Sequence, residues 1–190
     1  MNNYEYIIAS LPQLGKDAGT LDADEVISGI RSQCSGADNA LIDLLLDSFD
    51  AGKLTPEFYK EALKSRNKFI RNYLLFDLQV RDAKTEYLNS ALGRPEGEDL
   101  IEIPEGSGEF EQEARVREIL SGSDILARER GLDDVMWEKA DSLTELDLFD
   151  IDIILAFIAK IKIADRWNKL DPETGRELFR RLVSEIRNTK

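Results

Sequence analysis

From Glu57 to Leu92 the sequence runs for 36 residues without a glycine or a proline. A stretch of that kind favours one regular structure, a helix of about 54 Å at 1.5 Å per residue. A helix longer than an ordinary domain helix serves as a spine, a hairpin arm or a coiled-coil partner. Thr55-Pro56-Glu57 marks its start: an N-cap hydroxyl, a proline whose missing N–H costs nothing in the first turn, and an acid at the positive end of the helix dipole. The apolar positions include Phe58, Leu63, Phe69, Ile70, Tyr73, Leu74, Val80, Tyr87 and Leu88. Their period slips around Lys64 to Asn67, which predicts a bend or a break into two helices there.

The rest of the chain also reads as helices. Asp22 with Glu25 three positions on forms a capping-box pattern ahead of Val26, Ile27 and Ile30, and that helix ends near Ser35-Gly36. Asp38 is the expected cap of the next, whose buried stripe is read as Leu41, Leu44, Leu45 and Phe49, with Gly52 closing it. Beyond the linker, helices are expected over Phe110 to Leu120, Ser123 to Arg130 and Asp133 to Leu143. Phe149 to Lys169 is apolar around most of its circumference and is expected to sit centrally in its half. Asp171-Pro172-Glu173 opens a last helix with Leu178, Leu182 and Ile186 on one row. Lys53-Leu54-Thr55-Pro56-Glu57 echoes Lys169-Leu170-Asp171-Pro172-Glu173, an echo that convergent capping chemistry explains and a duplicated hairpin would also produce. The expected fold is therefore all-α, a helical bundle with one long, bent or broken helix and a short extended segment at Tyr4 to Ile8. Three parts are expected: residues 1–92 with the long helix, an acidic Pro/Gly linker at 93–108, and residues 109–190 packed on the first part as one unit.

Composition narrows the chemistry. The sequence has no histidine and one cysteine, Cys34, so His-based triads, Cys2His2 metal sites, CxxC redox pairs and intrachain disulfides are excluded. Gly106-Ser107-Gly108 is not a nucleophile elbow, and Gly15-Lys16 and Gly52-Lys53 lack the remaining glycine and hydroxyl residues of a phosphate loop. Asp147, Asp150 and Asp152 are the one carboxylate cluster that could hold Mg2+ or Ca2+. Their spacing fails the EF-hand template, and capping the following helix is the simpler role. No catalytic, cofactor-binding or metal-binding residue is assigned, and the chain is expected not to be an enzyme. The start of the chain has no basic region ahead of its uncharged stretch, and Ile151 to Ala164 is interrupted by charges. A cytoplasmic protein is expected, at most peripheral to a membrane.

Charge is segregated. The net charge of −13 divides into −7 over residues 1–52, +4 over 53–94, −14 over 95–152 and +4 over 153–190. An acidic chain repels phosphate backbones, so nucleic acid is not an expected partner. The alternation fits basic and acidic segments packed against one another, or a charged face that sets encounter and register with a protein partner. On the long helix Arg66, Asn67, Arg71, Asn72, Asp77, Arg81 and Asp82 include i, i+4 steps whose side chains meet on one face. Arg66, Asn67, Arg71, Asn72, Asp77, Arg81 and, late in the apolar helix, Arg166 are the candidate partner-binding residues. Solvated ion pairs are the alternative for the long helix, and packing of Trp167 with its neighbouring arginine for the apolar one.

Tyr4 to Pro12, the stretch Arg66 to Asp77, and Phe149 to Asp152 continuing to Ala164-Asp165-Arg166-Trp167 resemble an uncharacterised bacterial family encoded in V-type ATPase operons. The resemblance spans essentially the whole chain and is carried by helical and apolar patterns. It implies a non-catalytic accessory or central-stalk-like subunit of a bacterial V-type (A/V-type) ATPase, standing in for the C (d-like) subunit that couples rotor shaft to membrane ring. The implied partners are other ATPase subunits. No residue of the C/d subunit carries over by motif, because that subunit is much longer and built of repeated helical domains. An acidic helical interaction module of another assembly is the alternative reading, with a carboxylate-dependent metal enzyme as a third.

Overall fold

The computed structural model describes residues 4–15, 21–103, 108, 110–146 and 149–170, which form eight α-helices and no strand. In chain order these are α1 (Tyr4–Ser10), α2 (Ala23–Gln33), α3 (Gly36–Asp47), α4 (Pro56–Leu63), α5 (Lys68–Leu92), α6 (Glu113–Ser121), α7 (Ile125–Thr144) and α8 (Ile151–Asn168), with one 3-10 turn at Ala51–Lys53. The expected all-α class holds. The last predicted helix, from Asp171 on, lies outside the described residues.

The long run breaks where its apolar period slips. Asn67 ends the corner and caps α5, its Oδ1 accepting from the Ile70 N–H at 2.8 Å. Arg71 reaches back to donate to the Ser65 carbonyl at 2.6 Å, closing the turn onto itself. Thr55 caps α4 through the Phe58 N–H, with Pro56 in the first turn, as the sequence predicts. At the far end of α5, Gly93 takes the left-handed conformation (φ 65°) that a residue with a Cβ adopts only at a cost.

Four expectations are corrected. Tyr4 to Ile8 is helical instead of extended: Ile7 is buried in the core and the Tyr4 hydroxyl donates to Asp38 Oδ1 at 2.7 Å, so tertiary contacts settle a segment too short to show its own period. The cap of α3 is Ser35, and Asp38 is the reciprocal member of its capping box. The buried line of α3 is turned toward Ile42 and Leu45, which leaves Phe49, beyond the helix end, 37% exposed. Finally, Ser123 to Leu143 is not two helices but one, because Gly131 lies inside α7. A Cβ at that glycine would stand 2.7 Å from Ile119 Cγ2, so the missing side chain is what lets α6 lie close on α7.

One hydrophobic cluster runs from Ile7 to Ala164 and draws on all the helices. α8 is its axis: Ile154, Leu155, Ile158, Ala159, Ile161 and Ala164 are all fully enclosed, with α7, α3, α5, α1 and α2 packed around them. Burial on nearly every side of a helix is what its all-round apolar composition requires. A second, smaller cluster joins Tyr59 of α4, Leu78 of α5 and Ile103. The acidic segment after Gly93 therefore lies against α5 over residues 98–103, where Asn89 Nδ2 donates to the Glu98 carbonyl at 2.6 Å and Asp82 receives the Ile101 N–H at 3.2 Å. Among the described residues no helix is long and apolar enough to cross a membrane.

Candidate functional site

The seven partner-binding candidates fall into two places. Arg66, Asn67, Arg71 and Asn72 lie at the α4–α5 corner. Arg66 and Asn72 are exposed there, beside exposed Lys60, Lys64 and Lys68, while Asn67 and Arg71 spend hydrogen bonds on the corner itself. Asn67 also donates through Nδ2 to Asp152 at the start of α8, which fixes the α4–α5 corner against the α7–α8 corner. Asp77, Arg81 and Arg166 come together elsewhere, at the waist of the bundle. They line a cavity of about 70 Å³ with Tyr73, Asp133 and Lys162.

The waist is organised by two aspartates. Asp77 Oδ2 receives the Tyr59 hydroxyl at 2.7 Å and Arg81 Nε at 2.7 Å, and Arg81 continues to the Ser48 carbonyl at 3.3 Å. Asp133 Oδ2 receives the Trp167 indole N–H at 2.6 Å and the Arg166 guanidinium, so α8 is fastened to α7 by a charge-assisted pair and a neutral donor on one oxygen. Arg130 lies over the Trp167 ring at 5.1 Å and Arg166 at 5.6 Å, which makes Trp167 a packed residue with cations on it.

Burial shapes the protonation of this region. Tyr59 is pushed well above the ordinary tyrosine value, first by loss of solvent and then by the Asp77 charge; Tyr73 is raised in the same direction by burial and by both Asp77 and Asp133. Asp133 is raised by burial, with Arg166 and Trp167 working against that shift. Burial opposes the charge on Arg81, but Asp77 outweighs it and the guanidinium titrates above its usual value. All of these shifts favour the forms that make the waist contacts, except that of Asp133. Its charged form is strained by burial and held by its partners.

Asp150 caps α8 by accepting the Asp152 N–H at 2.8 Å, Asp152 accepts from Asn67, and Asp147 lies outside the described residues. Among the described residues no three His, Cys, Asp or Glu side chains come together as a metal site. Cys34 is half-buried, and burial followed by the Asp38 charge raises its thiol above the usual value, which disfavours the nucleophilic thiolate.

Sequence reasoning missed Tyr59, Asp133 and Lys162. Tyr59 is 18 positions from Asp77, and Asp133 is 34 from Trp167, separations at which helical periodicity carries no information. Lys84 of α5 pairs with Glu129 of α7, and one turn further toward that end stand Leu88 on α5 and Ile125 on α7, with Leu92 and Leu126 beside them. These four side chains are exposed by 43%, 70%, 70% and 62%, an apolar group where α5 ends and α7 begins. The surrounding charges are largely engaged: Arg128 donates to the Gly122 carbonyl and Arg117 reaches Glu113 and Glu86.

Residues 50–190 match the model of a family described as a protein of unknown function (DUF2764). The chain belongs to this family. The match begins just before the 3-10 turn ahead of α4, so the DUF2764 region contains the α4–α5 corner, both waist aspartates and the apolar group at the end of α5. No curated protein and no solved structure matches the chain.

Proposed function

We propose that this DUF2764 protein is a non-catalytic subunit that links other proteins through helical surfaces, and that the assembly is a bacterial V-type ATPase in which it takes an accessory or central-stalk-like place. The observation that carries the linking role is the apolar group Leu88, Leu92, Ile125 and Leu126. Single exposed apolar side chains such as Tyr6, Leu146 and Phe149 stand elsewhere, but these four lie together at the end of α5 and the start of α7, where they gain free energy only when another surface covers them. The exposed cations at the α4–α5 corner give a second surface of different character, suited to an acidic protein partner. A rigid bundle with two unlike surfaces is what a linking subunit needs. The ATPase assignment rests on the resemblance of Tyr4–Pro12, Arg66–Asp77 and Phe149–Trp167 to the family of those operons.

The test is capture of the tagged protein from native membranes at low and high salt, with the accompanying subunits identified by mass spectrometry. Head and rotor subunits of the ATPase are expected with the unaltered chain. They are expected to be lost from the folded Leu92→Asp/Ile125→Asp variant at either salt concentration, since apolar contacts are insensitive to screening. Recovery of a different assembly would favour the general interaction module, and a monomer absent from every complex would remove both readings.

A further inference from the structure

Lys162 stands on α8 at the edge of the waist cavity, half-buried and with no ion-pair partner among the described residues. Around the same 70 Å³ are Arg81 and Arg166, which serve Asp77 and Asp133 respectively. Among the residues lining it three cations face two carboxylates; Arg166 also approaches Glu129 at 3.9 Å, but Lys84 holds that carboxylate, so the charge of Lys162 is the one left uncompensated. Phe49 and Lys162 also line a second, open cleft of about 770 Å³ between α2, α3 and α8, where Leu46 adds apolar surface, Asp24 and Asp50 add acids and Arg31, paired with Asp43, adds a base.

We propose that the waist cavity seats one side-chain carboxylate, from a glutamate or aspartate of a partner protein whose segment lies along the α2–α3–α8 cleft. The volume suits a carboxylate. One uncompensated positive charge suits a monoanion, whereas a phosphate dianion would add repulsion against Asp77 and Asp133. The adjoining Leu46 and Phe49 give the remainder of such a segment a surface to bury, and because the Arg31 guanidinium in the same cleft is held by Asp43, Asp24 and Asp50 call for a basic residue beyond it. The complementary segment thus carries an acid, then an apolar residue, then a base. This surface is separate from the apolar group at the end of α5 and does not depend on which assembly the protein joins.

The experiment uses the full chain labelled with 15N and two capped helical peptides that present Glu-Leu-Lys or Gln-Leu-Lys on one face and are otherwise identical. The glutamate peptide is expected to shift the amides of Phe49 and Lys162 and to bind at least about tenfold more tightly than the glutamine peptide, the ratio a single buried charge pair supports. Lys162→Gln should abolish that discrimination and Lys162→Arg should retain it. Lys160→Gln, which alters a lysine paired with Asp141, should leave it unchanged. Equal binding of the two peptides, absence of binding, or displacement of the glutamate peptide by inorganic phosphate at equal concentration would each overturn the proposal. Because neither peptide derives from an ATPase, failure here leaves the membrane capture experiment standing, and the reverse.

Discussion

Asp77 on α5 and Asp133 on α7 are both carboxylates set into the waist, with side chains 12% and 13% exposed, and each holds one arginine and one aromatic donor. They differ in where the partners come from. Arg81 is one turn along from Asp77 on the same helix, so that ion pair is local and the cluster becomes tertiary through Tyr59 and the reach of Arg81 to the Ser48 carbonyl. Arg166 and Trp167 both reach Asp133 from α8, so that cluster joins two helices and would not exist in either alone. Tyr73 lies between the two, buried and raised by both charges. A local pair can be formed before the fold and then covered, whereas a pair across helices is created by the fold, and removing an aspartate should cost differently in the two cases.

The sharpest break in that comparison is Asp77→Ala. It leaves the fully buried Tyr59 hydroxyl and the Arg81 guanidinium without their acceptor, and a loss of about 3 kcal/mol is expected, the lower end for an orphaned charge because Arg81 is 42% exposed and can be hydrated. Denaturant unfolding measures it, and a loss no larger than that of Asp133→Ala would mean that burial of Tyr59 does not set the difference. Asp133→Ala is expected to cost less, about 1–2 kcal/mol, since Arg166 is half exposed and Trp167 half-buried.

Tyr59→Phe should remove about 1 kcal/mol near neutral pH and change the alkaline limb of stability. Tyr59 and Tyr73 hold their protons more tightly folded than unfolded, so the folded state loses stability as the pH rises past the ordinary tyrosine value of about 10. The fall above pH 10 should be shallower in Tyr59→Phe than in the unaltered chain, with Tyr73 supplying what remains; an unchanged slope would show that Tyr59 titrates freely. The smallest expected effect belongs to Asp133. Its folded-state value lies above 3.8, so the folded chain binds that proton more tightly than the unfolded chain, and this group adds stability as the pH falls from neutral toward that value. Comparison of thermal midpoints from pH 7 down to pH 4 for the unaltered chain and Asp133→Asn isolates it: the asparagine variant should lack that contribution.

Much of the fold was legible from local chemistry. Asp22, Thr55 and Asp150 cap the helices they precede, Gly93 ends α5, and the slip in apolar period at 64–67 is where α4 gives way to α5, because capping and periodicity are decided within a turn or two of chain. α8 was placed at the centre because no orientation of so apolar a helix leaves it wet. Where local signals are weak or misleading, the reading failed. Ser123 to Arg130 and Asp133 to Leu143 looked like two helices and are one, with Gly131 inside it as a notch for Ile119; Tyr4 to Ile8 looked extended and is wound by Ile7 and Asp38, and Phe49 looked buried and is 37% exposed.

The candidate site divides along the same line. Asp77 with Arg81 could be read from i, i+4 spacing, and the corner cations from a charge count. The sequence by itself thus determined the all-α class, the starts of α2, α4 and α8 and the break ahead of α5, and that no histidine or thiol-pair chemistry is present. Only the tertiary structure decided that Asp133 meets Trp167, that Lys162 faces a cavity without a carboxylate of its own, and that Leu88, Leu92, Ile125 and Leu126 gather outside the core. Helix starts and stops are settled by neighbours along the chain. Pairing of polar groups and exposure of apolar ones depend on which helix faces meet, and that is fixed by packing of the whole core around α8.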